Sequence, residues 1–181
     1  MRTKMKATLK TTAILAMSLI LTSNIFAQSS ANASATVTAN LKKGLSMSAI
    51  DPSIDFGEII LTAGSAQTNS VATNVGAKFE VIGHPGKAVN VSFANAALDN
   101  NAWVLANGGS TGSLTFVPSV EQTGGNSSYA GASAVTSGNS INLVNNSGDG
   151  YLYLWVGGSI AIASNQAHGD YSGTFSVTVA Y

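Results

Sequence analysis

Apolar and polar residues alternate with a period of two along much of this chain. The runs are short and are broken by glycine, asparagine and serine. Such alternation predicts β-strands with one buried face and one wet face. The clearest run is 175–181, where Phe175, Val177, Val179 and Tyr181 fall on one side and Ser176, Thr178 and Ala180 on the other. A second run, 33–41, puts Ala35, Val37, Ala39 and Leu41 on one side and serine, threonine and asparagine on the other. Leu45, Met47 and Ala49 continue the alternation, and Val89, Val91 and Phe93 repeat it. Ile54, Phe56 and 59–61 predict a strand with Gly57 at a bulge; 103–105 and 114–117 predict short strands.

One segment is apolar on both faces. Tyr151, Tyr153 and Trp155 alternate with Leu152, Leu154 and Val156, which predicts a strand in the middle of a sandwich. Gly157-Gly158 is expected to break that strand and allows a bulge or bend. No stretch carries a helical stripe. The expected fold is therefore all-β, a sandwich of short strands. Residues 122–138 form a long stretch of low hydrophobicity, expected to be a functional or mobile loop.

The front of the chain changes the picture. Arg2, Lys4, Lys6 and Lys10 precede an apolar run over 13–21, and Ala27 offers a small residue before Gln28. This is the pattern of a secretory signal peptide over 1–27. The apolar run is well short of the ~20 residues a spanning helix needs, so no membrane span is expected after cleavage. The boundaries expected are a leader 1–27, an N-terminal extension 28–43 and a domain 44–181. Past residue 27, four lysines (Lys42, Lys43, Lys78 and Lys87) face eight carboxylates, a net charge of −4. That argues against a nucleic-acid partner, which needs clustered cations. The chain has no cysteine, so an exported domain must hold itself by its core or its neighbours.

No catalytic constellation stands out. There is no cysteine nucleophile, no Gly-x-Ser-x-Gly elbow and no phosphate loop. His84 lies in a Pro-Gly turn and His168 in a polar loop, and both read as solvated turn residues. Asp51, Asp55 and Glu58 are close together but lack calcium-loop spacing. No enzyme activity, metal or cofactor is expected.

The ending Gly169-Asp170-Tyr171-Ser172-Gly173-Thr174, followed by 175–181, resembles the C-terminal motif of the bacterial DUF4402 family. It is also similar to the ends of spore-coat-U-type and other chaperone–usher pilins. Ile54-Asp55-Phe56-Gly57, Gly158 and Asn165-Gln166 fit the DUF4402 pattern too. Gly169 and Tyr181 keep the twelve-residue spacing that pilins often show between a glycine and a near-terminal tyrosine. The resemblance implies an immunoglobulin-like sandwich lacking one strand, completed by a donor strand from the next subunit. It implies Ala35, Val37, Ala39 and Leu41 as the donor face. Phe175, Val177, Val179 and Tyr181 would line the acceptor groove. Partners implied are further copies in a head-to-tail polymer, with a periplasmic chaperone and an outer-membrane usher in possible attendance. The destination implied is the cell surface, reached through the periplasm, with roles in adhesion and biofilm.

Two other readings stay open. In one, 35–41 pairs within its own chain, in a self-contained surface or matrix protein. In the other, Trp103 or the 122–138 loop binds carbohydrate in an adhesin.

Overall fold

A computed structural model describes residues 33–181. The expected leader, 1–27, lies outside the described residues. The chain divides into two units, Met1–Asn40 and Leu41–Tyr181. Of the first, residues 33–40 are described; they form no regular element and are exposed throughout.

The second unit is an all-β sandwich of two antiparallel sheets. Its strands are β1 (Ser46–Asp51), β2 (Gln67–Val71), β3 (Ala77–Gly83), β4 (Ala88–Phe93), β5 (Ala96–Asp99), β6 (Ser113–Gln122), β7 (Ser133–Val135), β8 (Asn139–Asn142), β9 (Val144–Asn146), β10 (Asp149–Ile162) and β11 (Val177–Ala180). A 3-10 turn, Thr73–Val75, precedes β3, and a helix α1, Asn101–Asn107, follows β5. The large sheet runs β1-β3-β10-β6-β5, with β2 and β9 also on β10 and β7 on β6; the small sheet runs β11-β4-β8.

β10 is the central strand, as its two-sided apolar pattern predicts. Leu152, Leu154 and Val156 point inward and are fully buried. Tyr153 and Trp155 point outward yet are also buried, beneath Lys78 and Tyr129. The Gly157-Gly158 pair does not break the strand. β10 runs straight through it and changes partners there, from β3 (Gly150 to Val156) to β2 (Gly158 to Ile162). Gly157 is required by a close approach. A Cβ there would meet the Val71 carbonyl oxygen and stand 2.7 Å from the Ala72 carbon and the Thr73 nitrogen.

The apolar interior has two parts. The first lies between the sheets. It joins Val81, Leu152, Leu154 and Val156 of the large sheet to Val89, Val91 and Val177 of the small one. The second comprises Ala96, Leu114, Phe116, Ile160 and Ile162, all from β5, β6 and β10 of the large sheet. Its cover is irregular chain: Ile54, Phe56, Ile59, Tyr171 and Phe175.

Three local expectations change. Residues 54–61 do not form a strand: among the described residues no ladder joins them to a neighbour, and the Ile60 carbonyl accepts instead from the Gln67 side-chain amide of β2 at 3.3 Å. Gly57 does take a left-handed conformation (φ 64°), and it resets the phase so that Ile54, Phe56 and Ile59 all turn inward. Residues 103–105 are helical, not extended. Asp99 Oδ1 accepts the Asn101 N–H at 3.0 Å at the start of the turn, and Gly108 closes α1 by donating to the Val104 carbonyl. An apolar triplet of that length fits either structure, and the Asp99 turn before it and Gly108 after it decide. The 122–138 stretch holds β7 and a packed loop.

A Gly157→Ala substitution drives a methyl into backbone that cannot swing aside. It is expected to lower stability by about 1–3 kcal/mol in urea unfolding. Gly44→Ala, where a Cβ meets nothing within 4 Å, is expected to change it by less than about 0.5 kcal/mol.

Candidate functional site: an apolar groove with unpaired walls

The second apolar cluster floors a groove of about 910 Å³. One wall is the irregular segment 52–61; the other is 166–175, which leads into β11. Phe116 rises from the floor between them. Its ring meets Phe56 of one wall edge-on at 6.1 Å and Phe175 of the other at 5.6 Å. The walls are held apart. Among the described residues, no backbone hydrogen bond joins 54–61 to any strand, and 173–176 have no ladder partner. β11 itself pairs only with β4, so its other edge is open. Unpaired backbone beside half-buried Ile54, Phe56 and Phe175 offers an edge to a further strand, and edges of this kind are normally blunted or covered.

The second wall is fixed from behind. Asn100 is fully buried, and its side-chain amide donates to the carbonyls of Ser110 (3.1 Å) and His168 (3.0 Å). Its oxygen accepts the Gly112 N–H at 2.7 Å. The Trp103 ring packs edge-on against His168 at 5.2 Å. Gly169 (φ 136°) lies close against both residues, where a Cβ would stand 2.9 Å from Trp103 and 3.2 Å from Asn100. Tyr171 OH donates to the Ala167 carbonyl and accepts from Gln166 Nε2, both at 2.7 Å. The polar loop 165–170 is therefore a rigid buttress. Nothing in the alternation of the sequence marks Asn100, because a lone asparagine before an apolar triplet looks like a turn residue.

The four apolar residues of 175–181 are split by the structure. Phe175 lines the groove. Val177 is buried in the first cluster, and Val179 packs against it. Tyr181 is half-exposed (51%), and its hydroxyl accepts the His84 N–H at 2.7 Å and donates to the Lys43 carbonyl at 2.9 Å. Of the expected donor face, Ala35, Val37 and Ala39 lie in the exposed segment 33–40, with Val37 at 92% exposure; Leu41, just beyond it, is 84% exposed.

The outer face is closed by different means. Thr73 and Tyr129 both donate to the Glu121 carboxylate, and their hydroxyls stand 2.6 Å apart. Tyr129 packs edge-on against Trp155, whose Nε1–H donates to Thr123 at 3.0 Å. The loop 123–132 is thus pinned over β10. The hydrogen bond from Thr73, then that from Tyr129, holds the Glu121 carboxyl below its ordinary value. Tyr153 OH donates to Glu80, and that bond, with burial, pushes the phenol up to about 12.

No group of three or more metal-ligating side chains occurs among the described residues, Asp51, Asp55 and Glu58 included. No helix among them is long and apolar enough to cross a membrane.

Fold and groove define a class: an all-β sandwich whose smaller sheet leaves part of the large sheet's apolar face without a facing strand. The chain belongs to the DUF4402 family, described as a domain of unknown function, whose profile matches residues 24–181. No curated protein and no solved structure matches it.

Two outcomes test this geometry. Asn100→Leu orphans two carbonyls and an N–H, and is expected to lower stability by at least about 2 kcal/mol and to speed amide exchange over 166–175. The Glu121 contribution is present above the unfolded carboxyl value of about 4.3 and is lost as pH falls through the lower folded value. Thermal unfolding midpoints should therefore drop on acidification through that window, and by less in Glu121→Gln.

Proposed function

We propose that this protein is a structural subunit of a surface fibre or pilus. Its subunits join when the 35–41 strand of one inserts into the groove of the next. The observation that carries this reading is the second apolar cluster, which has a sheet beneath it and no strand above it. An inserted strand would supply the missing backbone partners for the β11 edge and for the walls, a form of β-augmentation. The donor face suits the space. Four phenyl rings already line the groove, and alanine and valine are small enough to lie between them. The resemblance of the C-terminal ending 169–181 to those of chaperone–usher pilins favours the same assignment. It also suggests that a periplasmic chaperone and an outer-membrane usher guard the groove before assembly, on the way to the cell surface. The protein acts by assembly and not by catalysis.

Strand polarity supports a filament over a closed dimer. β3 runs from the groove, at Ala77, to the opposite pole at Gly83; β10 runs back, from Asp149 to Ile162. β11 also ends at the opposite pole, where Tyr181 bonds to Lys43. The segment leading into β1 is therefore tethered at the pole farthest from the groove. A donor at one pole and an acceptor at the other make a heterologous contact that repeats without closing.

Electron microscopy of residues 28–181 should show filaments, while a chain beginning at Gly44 should fold and remain monomeric. Val37→Asp places a carboxylate in the groove and should abolish filaments. Normal filaments from either altered chain would sink the role assigned to 35–41. An unfolded Gly44 chain would instead assign the strand to its own sandwich.

A further inference from the structure

Charge is not spread evenly over the sandwich. The groove wall carries Asp55, Glu58 and Asp170, and neither lysine nor arginine lines it. Asp99 stands beside it, bridged to Ser172. The opposite pole carries Lys42, Lys43 and Lys87, with Asp149 as the one acidic side chain there, paired to Lys43. The remaining lysine, Lys78, lies on the outer face over Tyr153 and Trp155. The molecule is thus acidic where a strand would be received and basic where residues 41–43 are tethered.

We infer that the joint between successive subunits is electrostatic and directional. The Lys42 ammonium group of one subunit meets the Asp55, Glu58 and Asp170 rim of the next, and the inserted strand runs antiparallel to β11. The inference rests on the reading of 35–41 as the inserted strand. Its direction follows from the strand polarity. β11 starts at the groove pole and runs away from it. A strand antiparallel to β11 therefore emerges, at Leu41, on the acidic rim, and Lys42, which follows, lands among carboxylates. A parallel strand would emerge at the opposite pole, beside the acceptor's own Lys42 and Lys87, where like charges repel. Apolar side chains at 35, 37, 39 and 41 present the same face in either direction, so the alternation alone does not set the orientation. The charge does, by favouring one encounter and opposing the other.

Attraction of this kind acts mainly on the rate of encounter and is screened by salt. The test follows polymerisation of residues 28–181 by light scattering. Raising sodium chloride from about 0.01 M to about 1 M shortens the screening length from about 30 Å to about 3 Å, and the rate should fall about tenfold or more. Lys42 is exposed. Lys42→Glu should slow assembly by a similar factor at low salt and reverse the salt dependence. Combining it with Asp55→Lys and Glu58→Lys, two exposed positions, should restore the rate. Circular dichroism of each monomer separates slow assembly from misfolding. Polymerisation of Lys42→Glu at the wild-type rate, with filaments still forming, overturns the charged joint and leaves the groove reading standing. A wild-type chain that forms no polymer at any salt overturns both.

Discussion

Everything in this molecule follows from a mismatch of lengths. β10 is fourteen residues long, whereas β4, β8 and β11 of the facing sheet are six, four and four. At about 3.3 Å per residue, the inner face of β10 extends over twice as far as any strand opposite it. Leu152, Leu154 and Val156 find Val89, Val91 and Val177 across the interior. Ile160 and Ile162, farther along the same face, find no strand at all. Their cover comes from a segment reset by Gly57 and from the approach to β11, neither of which offers a ladder.

The rigid parts lie where that deficit is managed. Asn100, Gly169 and Trp103 lock the 165–170 loop so that one wall stands in place without a neighbour. On the outer face, Glu121, Thr73, Tyr129 and Lys78 bury Trp155 and Tyr153 with a loop and one ammonium group. Both faces of β10 therefore needed covering. The outer face received a loop with its own hydrogen bonds, and the inner face past Val156 was left to residues that touch without pairing.

Much of this was legible in the chain. Two-sided hydrophobicity over 151–156 marked the central strand, because only a strand covered on both faces tolerates leucine, valine, tyrosine and tryptophan in unbroken succession. The alternation over 175–181 marked the last strand, though only 177–180 are paired. Period two reports which side chains share a face and says nothing of whether a partner strand is present. That is why 54–61 read as a strand and is not one. The 103–105 triplet failed for another reason: three apolar residues fit either period, and Asp99 and Gly108 at its ends settle the matter. The buttress around Asn100 depends on residues 68 positions apart, a distance over which local pattern carries no information.

The bonds of Tyr181 have a mechanical meaning. Lys43 is held by its carbonyl to Tyr181 and by its ammonium group to Asp149, just ahead of β1. β1 is an edge of the large sheet, β11 an edge of the small one, and Asp149 begins the central strand. A pull arriving along the chain from residue 42 is therefore divided among three strands in two sheets before it reaches the first ladder bond of β1. An edge strand loaded alone unzips one bond at a time. Strands loaded together and along their length must slide as a set, and the same number of hydrogen bonds then withstands a greater tension.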